Sequence, residues 1–255
     1  MTEEPYRWVE AIANRREYIE TQLAPGSPIA ALTFRDGILF VTVGQARQKL
    51  FEIYDRIAMG AIGHPGDIER LRMAAIELAS AEGFTRSAAD VSLRRLAFYS
   101  LSPLLKTAFE QVYGAPYLAR MIFAEVGATP NEDLFLRVEY DGAIAAQTGR
   151  KQTGFSAISG TARATGLMEE LLARDHDPAA TLHAAMKVGL DAWSAGSLPP
   201  ADEGATELPS HATLREHRQE RLRDASLEAC VLERNVATPI RYRALTTEEL
   251  RTLSA

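Results

Sequence analysis

The chain has 255 residues, with 28 Lys and Arg against 34 Asp and Glu, and a net charge of −6 at pH 7. Its length can bury about 75% of the surface that the unfolded chain exposes, and 46% apolar with 24% charged residues is the globular average, which excludes wholesale disorder. No run approaches the ~18–20 apolar residues of a membrane helix, the acidic start MTEEPYRWVE lacks the zones of a signal peptide, and net acidity argues against nucleic acid as the main partner. A soluble, cytoplasmic protein with no membrane or nucleic-acid partner is the expectation.

Residues 6–23 predict a helix with Trp8, Ile12, Arg15 and Ile19 on one face and charge on the other. Ala24-Pro25-Gly26 ends it. Four short strands follow, over 29–34, 38–43, 50–54 and 57–62. Arg35-Asp36-Gly37 joins the first two and Asp55-Arg56 the last two, as in antiparallel hairpins. Asp67 is read as the cap of a helix reaching about Glu82. A second helix, capped within Ser87–Asp90, runs to about Tyr113 and contains Pro103, which removes a backbone bond and bends it.

The order then repeats. Strands are expected over 117–126, 134–140, 143–147 and 154–159, followed by a helix over 161–174 and another opened by Asp177-Pro178 and ending near Trp193. Residues 195–209 read as a loop and His211–Asp224 as a charged stretch that favours a helix. Strands over 227–233 and 240–244 and a short helix over 246–253 close the chain. Segregated strands and helices imply α+β, and two antiparallel sheets face to face with a helix layer on each outer side accommodate them.

Nucleotide-loop, zinc-protease and nucleophile-elbow motifs are absent. His176, His183, His211 and His217 lack the i, i+4 spacing of a helical metal pair, so neither metal nor cofactor is implied. The lone Cys230 excludes an internal disulfide framework and falls in a predicted buried strand, where it acts as a small hydrophobe. Only Lys49, Lys106, Lys151 and Lys187 are lysines, and Lys49 stands out beside an apolar run.

Gly26-Ser27, the hairpin over 29–43, the run QKLFEIYD and the strand over 57–63 together resemble the proteasome core-particle family. An N-terminal helix carrying Glu17-Tyr18 and the run LEACVLERNVATPIRYR resemble α-type subunits of the bacterial branch. The resemblance spans about Tyr6 to Tyr242 and implies the four-layer αββα sandwich of N-terminal nucleophile hydrolases. It divides the chain into a tail and helix (1–25), the sandwich (26–245) and a C-terminal helix (246–255).

Catalytic β-type subunits of that family use an N-terminal Thr as nucleophile, its α-amino group as base, and a nearby lysine and acid. The nucleophile position falls on Ser27 and the lysine on Lys49. Ser27 replaces Thr, Pro28 follows it, the acidic position holds Val43 or Gly44, and an internal residue has no free amino group. The resemblance therefore implies a non-catalytic α subunit, with a self-processed serine hydrolase using Ser27 and Lys49 as the alternative. In α rings the matching lysine receives the C-terminal carboxylate of activator tails. Lys49, Gly26, Gly63 and His64 fall on that pocket, His64 where the archaeal pattern has Leu. The implied partners are further copies in a heptameric ring, β subunits, a ring-shaped ATPase activator and unfolded proteins in transit. The short acidic tail, Met1–Pro5, implies a loose gate through mutual repulsion.

Overall fold

The computed structural model describes residues 4–45, 47–111, 113–146, 154–199 and 208–254. In chain order these form α1 (Glu4–Leu23), β1 (Ile29–Phe34), β2 (Gly37–Gly44), β3 (Leu50–Tyr54), β4 (Ile57–Gly63) and α2 (Pro65–Thr85). Next come α3 (Leu93–Arg95), a π-helical segment (Leu96–Leu101), α4 (Ser102–Glu110), β5 (Ala119–Glu125), β6 (Leu134–Val138), β7 (Ile144–Ala146) and β8 (Phe155–Ile158). The remainder is α5 (Ala162–Asp175), α6 (Leu182–Ser197), α7 (His211–Arg221), β9 (Ser226–Glu233), β10 (Tyr242–Ala244) and α8 (Thr247–Ser254).

Two five-stranded antiparallel sheets result, ordered β10-β9-β2-β1-β8 and β3-β4-β5-β6-β7. Strand alternation distributes the apolar side chains between layers. Ile29 and Ala31 of β1 and Ile38 and Phe40 of β2 meet Leu50, Ala58, Ile122, Ala124 and Phe135 of the other sheet. Their alternates Ala30, Leu32, Leu39 and Val41 turn outward onto Met168, Leu172, Met186, Leu190 and Trp193 of α5 and α6. Met59, Ala61, Met121 and Phe123 turn the opposite way, onto Ile68, Leu71, Ala75, Leu101 and Leu105. Three apolar interfaces between four layers make the αββα sandwich, and β1 is buried along its whole length because helices cover one face and a sheet the other.

α1 joins this body through its C-terminal half. Ile19 and Leu23 bury against Phe109 and Tyr140, while Trp8, Val9 and Tyr18 stay exposed. The Arg15 guanidinium donates to the carbonyls of Phe109 (2.8 Å) and Gln111 (2.7 Å), supplying donors where α4 runs out of its own. Glu20 accepts from buried Arg120 at 3.2 Å and from the Tyr140 hydroxyl at 2.8 Å. Arg120 also binds Glu139 at 2.6 Å and the Ser159 carbonyl at 2.7 Å, so one guanidinium links α1 to both sheets' connecting segments.

Several local expectations are corrected. α2 begins at Pro65, with His64 as its N-cap, and Asp67 instead accepts the Leu118 backbone N–H at 3.0 Å across to the start of β5. α6 starts not at Asp177-Pro178 but after Thr181, whose side chain caps it; Asp177 accepts the N–H of Ala179 in a preceding turn. α6 also continues to Ser197, because Ala195 and Gly196 are buried in what reads locally as loop. Where a bend is expected at Pro103 the structure has a widened turn: the Ser102 N–H reaches back to the Ala97 carbonyl, and the π-helical segment precedes the proline. The first hairpin turns on Arg35-Asp36, and Gly37 already belongs to β2, where a Cβ would come within 2.0 Å of the Leu232 carbonyl. The helix over 6–23 begins two residues earlier, so Glu4 and Pro5 are helical. The rest of the acidic tail, the end of the strand at Gln147 and residues 200–207 of the expected loop lie outside the described residues.

At the opposite end of β1 from Ser27, Asp133 is wholly buried and binds Arg234 through both oxygens at 2.8 Å, with Thr33 donating a further bond at 2.8 Å. Removing one member of such a pair leaves a buried charge unmatched. Arg234→Met is expected to destabilise the fold by about 3–5 kcal/mol, and Asp133→Leu added to it to recover most of that loss, read from urea-denaturation midpoints.

Candidate functional site

β2 ends in one sheet at Gly44 and β3 begins in the other at Leu50, so the chain crosses between layers between these strands. The crossing is held by Glu228 of β9, whose carboxylate accepts the backbone N–H of Lys49 (3.0 Å) and of Leu50 (2.9 Å). Burial raises the affinity of Glu228 for a proton, and those two N–H groups act against it. The Lys49 side chain then lies half-buried over the segment before β1, with Nζ 3.4 Å from the Ser27 carbonyl oxygen. Burial pulls the Lys49 ammonium below the ordinary lysine value, and the Glu228 charge partly restores it. Its recorded contact is a backbone carbonyl and not a hydroxyl or thiol.

Lys49 faces a cavity of about 570 Å³. Gly26, Ser27 and Gly63 line it as well, so four of the five singled-out positions meet there. Buried Val43, Ala61, Ile62 and Ile68 give it an apolar wall, and exposed Arg47 and Arg221 add cationic groups. Glu69 is the carboxylate in the lining, and it is engaged by Arg72 at 2.7 Å. Gly63 has φ +132° and lies against the Leu118 carbonyl, 2.0 Å from where a Cβ would stand, so strand pairing alone demands glycine there. His64 is exposed and does not line this cavity; it faces a neighbouring depression with Asp67, Arg70 and Tyr117.

Ser27 is not poised as a nucleophile. Its hydroxyl donates to the Val43 carbonyl and accepts from the Trp193 indole N–H at 3.1 Å. Lys49 touches the carbonyl of Ser27 rather than Oγ, and Gly26 bonds back to Leu23 in the turn that closes α1. The general base that the mechanism requires is therefore missing at this hydroxyl. Cys230 is fully buried, and burial pushes its thiol well above the ordinary range, which keeps it unreactive. Among the described residues no group of three or more His, Cys, Asp or Glu could hold a metal ion, and no helix is long and apolar enough to cross a membrane.

Sequence reasoning missed Glu228, Trp193, Arg47 and Arg221. A carboxylate between Leu227 and Ala229 in a buried strand is a legible signal for the first. The others act only through folding: Trp193 reads as core, and the arginines as solvated charge.

Two measurements follow from this geometry. Lys49 acylation followed by peptide mapping across pH should show a half-maximal rate below the ~10.4 of an unperturbed lysine, and Glu228→Gln should lower that midpoint further, because the restoring charge is gone. Ser27→Ala should cost about 1–3 kcal/mol in thermal or urea unfolding by orphaning the Trp193 N–H and Val43 C=O.

No protein-family model matches the chain. Among curated proteins it is 33% identical over 210 residues to the proteasome subunit alpha of Parafrankia sp. (strain EAN1pec), covering 78% of this chain and 79% of that protein. It is 32% identical over 228 residues to proteasome subunit alpha of Actinosynnema mirum, covering 89% and 78% respectively. The counterpart from Frankia casuarinae is 32% identical over 216 residues, 80% of this chain and 82% of that one. With these relatives along most of its length, and with two antiparallel sheets between helix layers, the chain belongs to the bacterial proteasome α-subunit family.

Proposed function

We propose that this chain is a non-catalytic α-type subunit of a cytoplasmic proteasome core particle. Copies of it form a heptameric outer ring that stacks on β subunits, controls the admission of unfolded proteins and docks a ring-shaped ATPase activator. The sandwich over 26–245 is the body of the subunit, while the segments 1–25 and 246–255 are appended to it. Peptide hydrolysis, by a threonine nucleophile, belongs to the β partner.

The observation that carries this reading is the environment of Lys49: a desolvated ammonium at a cavity, on a residue whose backbone N–H is held by Glu228, beside a serine whose hydroxyl is tied to Val43 and Trp193. Such an ammonium is suited to receive a carboxylate, through a charge-assisted hydrogen bond of about 1.5–3 kcal/mol. An activator's C-terminal carboxylate is its occupant in this reading. Gly26 and Gly63 line that pocket, and His64 stands beside it rather than in it.

Native mass spectrometry of the chain, alone and with a threonine-bearing β partner, is the first test. Full-length protomers in a heptamer or a mixed double-ring particle are expected. A protomer beginning at Ser27 overturns the reading in favour of a serine hydrolase. In the assembled particle, Lys49→Met should lower activator-stimulated degradation of an unfolded protein at least about tenfold, as follows from losing that bond.

A further inference from the structure

The cationic groups of the Lys49 cavity exceed what one carboxylate needs. Arg47 and Arg221 both line it, and neither guanidinium has a hydrogen-bonding or ion-pairing partner among the described residues. The lining carboxylate, Glu69, is already held by Arg72. Lys49 alone is anchored from below, by Glu228.

Arg221 reaches the cavity because α7 is firmly docked. Leu214 is fully buried, Arg218 binds Asp191 of α6 at 2.9 Å, and His217 bonds Ser197 at 2.8 Å. The His217 ring also stacks on Trp193, with centroids 6.0 Å apart and planes inclined by 21°. Four residues on from His217, Arg221 projects from the same face of the helix. Trp193 is the residue that also holds Ser27, so α7 and the cavity floor are braced by the same indole. The arginine is thus delivered to the cavity mouth by a fixed element.

We infer that Arg221, assisted by Arg47, forms a second anion subsite at the mouth of the Lys49 cavity, so that the tail it accepts is acidic as well as carboxyl-terminated. This rests on the tail-docking reading and narrows its partner: a C-terminal segment with a free carboxylate for Lys49, a small apolar group for the Val43–Ile62–Ile68 wall, and an Asp or Glu side chain upstream. A planar guanidinium is suited to bind that side chain in a bidentate manner.

Fluorescein-labelled hexapeptides built on Gly-Ser-Ala-Ala-Ala-Leu test it, with Glu or Gln placed in turn at each position before the last and with an acid or amide end. Binding to the purified full-length chain is read by anisotropy. At one position or more, Glu should bind about 3–10-fold tighter than Gln, the advantage shrinking as salt rises. In Arg221→Gln that ratio should fall to about 1, while Arg215→Gln, which removes the same charge from an exposed part of α7, should preserve it. Equal binding of Glu and Gln peptides at every position, with acid still preferred over amide, overturns the second subsite and leaves tail docking standing. An equal loss in Arg215→Gln overturns it too, by assigning the preference to diffuse charge. If acid and amide ends bind alike and Lys49→Met changes nothing, the tail-docking reading itself fails.

Discussion

Burying both faces of two stacked sheets is the constraint from which the rest of this molecule follows. β1 and β2 carry apolar side chains on both pleats, so one face must meet another sheet and the other a helix layer. Once the sheets are stacked, the connection from β2 to β3 has to cross from one to the other at the rim. A crossing of that kind exposes backbone N–H groups away from any ladder, and they require partners. The Glu228 carboxylate meets that requirement for Lys49 and Leu50, and in doing so suspends the Lys49 side chain at the edge of the cavity. A structural necessity of the sandwich and the electrostatics of the site are therefore one arrangement.

Hydrogen bonding keeps the serine and the lysine of this cavity from acting on one another. Ser27 and Lys49 are both present and both at the cavity. Their geometry separates them: the hydroxyl is committed to Val43 and Trp193, and the ammonium faces a carbonyl. An internal serine has no amino group to act as base, and the turn before it is folded onto α1 through Gly26 and Leu23. What is left is a partly desolvated cation beside an apolar wall.

Polar anchors do much of the work of attaching the peripheral helices. α1 contributes few buried apolar side chains, yet Arg15 completes the end of α4 and Glu20 meets the buried guanidinium of Arg120. α7 likewise buries Leu214 but takes its orientation from Arg218 and His217. These bonds fix direction, which apolar contact alone does not. That is why an arginine on the last turn of α7 is aimed at a cavity whose other walls, Ala225 apart, come from the first third of the chain.

From the amino-acid sequence alone, the α+β order, the hairpin around Asp36 and a helix within His211–Asp224 are legible, because periodicity and turn chemistry are local properties, and the family resemblance is legible in its motifs. Lys49, Gly26, Gly63 and Ser27 could be singled out through that resemblance. Local reading misplaced the starts of α2 and α6, where Pro65 and Thr181 compete with plausible capping residues a few positions away, and it ended α6 early because burial overrides loop-like composition. The site's electrostatics were beyond its reach. Lys49 and Glu228 are 179 residues apart, and Ser27 and Trp193 are 166. Only the stacking of the two sheets and the docking of α6 and α7 bring such distant groups into contact, and only contact and burial decide which hydroxyl is silenced and which cation is desolvated.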